Sequence, residues 1–371
     1  MATRPTTPTA APTPTAGRRH SRKSLLLRGA ALLITALALY GLLPSLTKVM
    51  GAWPRLLTLS PAWLVGALVA EVAAFTCNFD LQRLVLRTKG WFAVIAAGLV
   101  GNAVTDVLPG GDAAGAGVQF RMLDRAGINA DTAVGGLTAA SLLGIGGLFA
   151  LPIFALPAII GGTRVQPGLL HAALLGLAGF ALFVIGSSVI MATDKPLATV
   201  GRVLQWLWNR VPSRKKKMRI TGLETRLLGQ RDAIGTALGR NWWQATLLVG
   251  GRLGFDYLCL LLAVSATGGK PTPSLVLLAY AAAQIIALIP ITPGGLGIVE
   301  ASLSGLLVLA GVPGAKAVVA TLAYRLAQYW LPLLAGVIVY PLYRRRYGSM
   351  TLDDPGNGSA KPVTLIRHEK S

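Results

Sequence analysis

The chain has 371 residues, 53% of them hydrophobic and only 13% charged, with a mean hydropathy of +0.60. Soluble domains carry about 25% charged residues, so this balance excludes an ordinary soluble domain and indicates a polytopic membrane protein. The formal charge of +21 has the sign that suits nucleic acid, but its distribution argues otherwise: Lys and Arg concentrate in the N-terminal tail, around "RVPSRKKKMR" and in "YRRRYG" after the last apolar run, and basic clusters beside spans mark the cytoplasmic face and attract anionic headgroups.

Residues 1–23 alternate Pro, Thr and Ala without hydrophobic periodicity and read as a disordered basic tail. The run at about 25–43 follows basic residues but lacks a small-residue cleavage site, so it reads as a retained first span with its N-terminus inside. Further spans are expected at 62–86, 132–158, 168–192, 242–267 and 315–342, each near the roughly 20 residues that cross about 30 Å of hydrocarbon as a helix. The alternation of a β-barrel, in segments of about 10 residues, is not seen. The expected architecture is therefore all-α: a polytopic transmembrane bundle of about six full spans plus two re-entrant hairpins. The transmembrane unit covers 24–345, with a basic cytoplasmic loop at 194–241 and a flexible cytoplasmic tail at 346–371. Both termini fall on the cytoplasmic side of the cell membrane.

The hairpins are expected where two apolar segments run into helix breakers. Residues 91–108 lead into "LPGGDAAGAG" and residues 273–290 into "ITPGGLGIVE". Proline cannot continue a helix and paired glycines free the backbone to turn. The breaks resemble copies: at an offset of 184, Pro109-Gly110-Gly111 falls on Pro293-Gly294-Gly295, Ala126-Gly127-Ile128 on Ala310-Gly311-Val312, and Ala133-Val134 on Ala317-Val318. Counting crossings with the basic clusters on one face makes the repeats, at about 62–158 and 242–342, inverted. Broken helices meeting near the midplane are a transporter design, with the site at the breaks. Irregular backbone at membrane depth is tolerated only where protein buries it or it lines a wet cavity.

Charges at such depth cost about 2.5–3.5 kcal/mol or more and point to function. Glu300, just past the second break, and Arg325, about ten residues into the last span, are the leading pair; they either lock the hairpin or exchange partners with a lipid headgroup. Gly294, Gly295 and Gly297 shape the break, and the helix starting near Gly297 offers its N-terminal amides to an anion. Arg252 and Asp256, four apart on one helix, are expected to pair with each other. Asp112 and Arg121 lie beyond the first break, where they either mirror the Glu300 site or cap the hairpin in cytoplasmic water; Asp106 precedes it. Glu71 sits near the centre of its span. Trp242 and Trp243 suit an interfacial belt, and His171 an interface. Cys77 and Cys259 give neither disulfide nor zinc spacing. No catalytic motif is present, and neither cofactor nor metal is expected.

"PITPGGLGIVEASLSGLLVLAGV", followed by "AVVATLAYRLAQYWLPLLAG", resembles the lysylphosphatidylglycerol synthase transmembrane-region family of flippase-like integral membrane proteins. Members carry Pro-Gly-Gly-x-Gly-x-x-Glu, matched by Pro293 to Glu300, and a later Tyr-Arg, matched by Tyr324-Arg325. The family's first-half Gly-Glu-x-x-Arg is replaced by a wider spacing of Asp112 and Arg121. The resemblance implies movement of an anionic or zwitterionic phospholipid or polyprenyl-linked headgroup between leaflets. The ~28 residues after Tyr343 leave no room for the soluble aminoacyltransferase of the synthases, so enzymatic activity is not expected. Two other functions are compatible with these residues: a membrane partner presenting lipid to a separately encoded lipid-modifying transferase, and a small-solute secondary transporter.

Overall fold

A computed structural model describes residues 60–108, 111–163, 165–193, 239–269, 272–289 and 292–348, with isolated positions between 199 and 235. The first expected span at 25–43, the N-terminal tail, most of the basic loop, Pro109-Gly110 and the tail beyond 348 lie outside the described residues.

Every regular element among the described residues is helical. Helix α1 covers Pro61–Val85, α2 Trp91–Val107, α3 Asp112–Arg125, and α4 Ala130–Ala150; α4 continues through a tighter turn at Leu151–Ala155 to Ile160. Helix α5 is Pro167–Ala192, α6 Trp242–Ala266, α7 Pro273–Ala287, α8 Ile298–Leu309 and α9 Gly314–Arg325. A π-helical turn at Leu326–Trp330 joins α9 to α10, Leu331–Tyr347. Helices α1, α5 and α7 each open on a proline, whose missing N–H costs nothing in a first turn. Helix α4 is capped instead by the Asn129 side chain, which accepts from the Asp131 N–H at 2.9 Å.

Among the described residues, five helical stretches are long and apolar enough to cross a membrane: Pro61–Val85, Ala130–Ile160, Pro167–Ala192, Trp242–Ala266 and Gly314–Tyr347. These match the five expected spans that fall within the described residues. Helix α10 extends two residues into the stretch expected as tail. The arms of the expected hairpins, α2 with α3 and α7 with α8, are the short apolar or amphipathic helices between them.

The duplicated sequence blocks fold alike. After α3, the Gly127 N–H donates to Asp124 O (2.9 Å) and the Ile128 N–H to Leu123 O (3.1 Å); after α8, Gly311 donates to Val308 O and Val312 to Leu307 O, both at 2.9 Å. Each of these four positions is shifted by 184, and both glycines take a left-handed φ, 86° and 91°. This is the Schellman stop, which satisfies the last carbonyls of a helix. Helices α4 and α9 then begin at 130 and 314, again 184 apart.

Helices α1 and α6, the leading span of each half, pack along much of their length, and each hairpin also packs across the halves: α2 against α10, and α7 against the end of α4 and α5. Small residues permit the close approach. A Cβ at Gly336 of α10 would lie 2.6 Å from the Leu99 carbonyl of α2, and one at Gly115 of α3 would lie 2.5 Å from the Gly101 carbonyl. Outside this core the surface is apolar: Leu175 and Leu182 of α5, Phe154, Ile160, Leu247 and Ile338 are all strongly exposed, as lipid-facing side chains are. Trp242 and Trp243 are exposed at the start of α6.

Candidate functional site

The second break is built by backbone conformation before any side chain enters. Gly294, Gly295 and Gly297 take φ of 54°, 68° and 83°, a region that side chains with a Cβ rarely adopt. At Gly294 space is excluded as well, since a Cβ would lie 2.4 Å from the Tyr329 ring and 3.0 Å from the Asp106 carbonyl oxygen. The Thr292 hydroxyl closes the turn by donating to Leu296 O at 2.9 Å.

Helix α8 starts immediately afterwards, and Glu300 turns back so that its carboxylate accepts the Gly297 N–H. The helix N-terminus, expected to await an anion, is thus already occupied by one from its own chain. Arg325, last residue of α9, reaches the same point. Its Nε donates to Glu300 Oε1 at 3.1 Å, Nη2 to Gly294 O at 2.9 Å, and Nη1 to Gln328 at 3.0 Å. The guanidinium also lies 4.6 Å from the centre of the Tyr329 ring. Glu300 and Arg325 are 8% and 5% exposed, so this is a buried pair in which each of the three guanidinium nitrogens donates one hydrogen bond. Such a pair gains little net stability from its attraction, but removal of either partner leaves an uncompensated charge. The π-helical turn follows directly and swings Gln328 and Tyr329 to the break; such irregular turns often mark functional sites.

The two halves meet here. The Tyr329 hydroxyl donates to the Asp106 carbonyl at 3.1 Å, tying the second break to the last turn of α2. Leu296, Tyr329 and Leu333 form a small apolar cluster with Ala103 and Val107 of α2.

A second buried polar cluster lies beside the first. Asp256 of α6 accepts from Tyr324 (2.7 Å), from Tyr280 (2.7 Å) and from the Gln284 amide (3.0 Å). The Glu71 carboxyl of α1 is its neighbour, next to the Cys259 thiol. The expected Arg252–Asp256 pair is not formed: Arg252 is exposed while Asp256 is buried and held by neutral donors. A long arginine at the edge of a buried face carries its charge outward, whereas a short aspartate cannot. Asp112 and Arg121 are both exposed and do not join either cluster; Asp106 supplies the first half's contact through its backbone. Asp80 pairs with Arg83 at 2.9 Å. His171 is exposed, and both cysteines are free thiols.

Sequence reasoning missed Tyr280, Gln284, Gln328 and Tyr329. The signal available was helical spacing: Tyr280 and Gln284 are four apart on an otherwise apolar arm, and Gln328 follows Arg325 by three. A cavity of about 890 Å³ lies apart from both clusters and is lined by Asp80, Arg83, Arg87, Lys89, Trp243 and Gln244 among others.

Comparison with known proteins places these residues in a family. The lysylphosphatidylglycerol synthase TM region matches residues 28–336. The chain belongs to that family. Both clusters lie inside the matched region, which is the membrane part of such synthases. The family chain is also similar to a UPF0104 membrane protein of Pyrococcus horikoshii, 39% identical over 87 residues, 23% of this chain and 26% of the relative. Two UPF0104 membrane proteins of Methanothermobacter thermautotrophicus are each 33% identical, over 93 and 88 residues; these cover 25% and 24% of this chain and 25% and 26% of the relatives. The similarity thus spans about a quarter of the length of each of these relatives. The chain is a multi-pass membrane protein of this family.

Proposed function

We propose that this family member moves an anionic or zwitterionic phospholipid or polyprenyl-linked headgroup between the leaflets of the cell membrane, with both termini cytoplasmic and no enzymatic step of its own. The observation that carries the reading is the buried Glu300–Arg325 pair at the place where the two halves' interrupted helices meet. In the arrangement described, Glu300 occupies both the α8 N-terminus and the guanidinium. An entering phosphate presents the same chemistry as that carboxylate, so it can take over Arg325 and the Gly297 amide while Glu300 turns away. The acyl chains stay in lipid against the apolar exterior. Hairpins dipping from opposite faces would open the break to each leaflet in turn.

The test is leaflet exchange in proteoliposomes containing head-labelled phosphatidylglycerol, read by quenching of the outer leaflet. Wild type should exceed protein-free vesicles, and Glu300→Gln should be slower by about tenfold, the equivalent of one lost charged contact of about 1.4 kcal/mol. Exchange by both proteins at the protein-free rate contradicts the reading. In a deletion strain, normal lipid amounts with wrong sidedness support it, whereas complete loss of a modified lipid indicates a partner that presents lipid to a separate transferase.

A further inference from the structure

The Glu71–Asp256 cluster makes none of the hydrogen bonds at the break itself, and its own hydrogen bonding is asymmetric. Asp256 accepts three hydrogen bonds, Tyr324 donating to Oδ1 and Tyr280 and Gln284 to Oδ2, which leaves room on Oδ1 for a fourth donor. Glu71, only 2% exposed, has an oxygen, Oε2, that is buried without any hydrogen-bond partner. A bare carboxylate oxygen enclosed in apolar packing beside a second carboxylate is the costliest form this side chain could take. A carboxylic acid removes that cost, because its O–H is neutral and can donate to the neighbouring acceptor.

We propose that Glu71 and Asp256 form a proton-binding site between α1 and α6, with the proton carried on Glu71 against an Asp256 carboxylate fixed by two tyrosines. One proton from water joins one Glu71 oxygen, and no other bond is made or broken. The groups facing the pair are Arg252 and Cys259 on α6, Tyr280 and Gln284 on α7, and Tyr324 on α9. Arg252 is exposed, and the rest are neutral donors or an apolar thiol, so nothing cationic replaces the proton within the pair. The donor set disfavours a metal ion, since the Asp256 oxygens already accept three hydrogens, and no group of three or more His, Cys, Asp or Glu side chains suited to a metal occurs among the described residues.

The site is placed to communicate. Tyr324 binds Asp256, while the next residue, Arg325, binds Glu300 and the Gly294 carbonyl. A change of charge in the pair alters the pull on Tyr324 and is transmitted to the break through one peptide unit. This gives the protein a means of coupling headgroup movement to a proton gradient, although the site itself stands without the lipid reading.

Infrared difference spectroscopy of the full chain in lipid bilayers tests it, comparing acidic with alkaline buffer. Wild type should show the carbonyl stretch of a protonated glutamic acid, identified by its shift on 13C-glutamate labelling. Glu71→Gln should lose that band, Glu300→Gln should keep it, and Asp256→Asn should move its frequency by changing the acceptor. Absence of a label-sensitive band in wild type, or its full retention in Glu71→Gln, overturns the proposal. Absence of the band in the labelled wild type overturns the proposal even if a variant fails to fold, whereas its assignment to Glu71 among the four glutamates rests on its loss in Glu71→Gln. A failed leaflet assay leaves the band intact, so the two readings fail separately.

Discussion

Glu300 serves two partners at once, the Gly297 amide and the Arg325 guanidinium. Glu300→Ala strands a buried arginine and should lower stability by about 3 kcal/mol or more, measured by thermal unfolding in detergent micelles. Tyr329→Phe removes the bond to the Asp106 carbonyl and should cost about 1 kcal/mol in the same assay. Gly294→Ala combines a left-handed φ with a 2.4 Å approach to the Tyr329 ring and should cost about 1–3 kcal/mol; a neutral effect would show that the break relaxes easily. The prominence of Glu300 and Arg325 was legible in the sequence because charge inside an apolar run needs a partner. The partners of Asp256 were not. Spacing of four places Arg252 beside it on the helix, but whether a side chain turns inward depends on neighbouring helices, and here Tyr280 and Tyr324 supply donors from two other elements.

At the scale of elements, five spans followed from the length of apolar runs, because the bilayer fixes that length. The second break followed from Pro293-Gly294-Gly295, where both glycines take a left-handed φ; Pro109 and Gly110 of the first lie outside the described residues, between the end of α2 at Val107 and the start of α3 at Asp112. The π-helical turn after Arg325 had no comparable signal in "LAQYW", since an extra residue in a turn is set by the contacts it makes. The two Schellman stops give a matched prediction. Gly127→Ala and Gly311→Ala place a Cβ at φ of 86° and 91° with nothing nearby to clash, so each should cost about 1 kcal/mol by backbone conformation alone. Unequal losses in unfolding measurements would show that the halves, though alike in local geometry, are not equivalent in stability.

For the whole molecule, α1 and α6 form the spine, the hairpins cross between halves, and apolar side chains cover the exterior. The interrupted helices therefore meet in the interior of the bundle, shielded by the longer ones. The 184-residue offset legible in the sequence recurs in the stops of α3 and α8, whereas the cross-packing of α2 on α10 arises from small residues such as Gly336 and was invisible until the fold brought them together. The account rests on the depth of that meeting point. Cryo-electron microscopy of the protein in lipid nanodiscs measures it directly. The account predicts that residues 292–297 and Asp106 lie within the hydrocarbon layer, with headgroup density reaching Arg325 in at least one conformation. Location of this break in bulk water beyond the headgroups would contradict it.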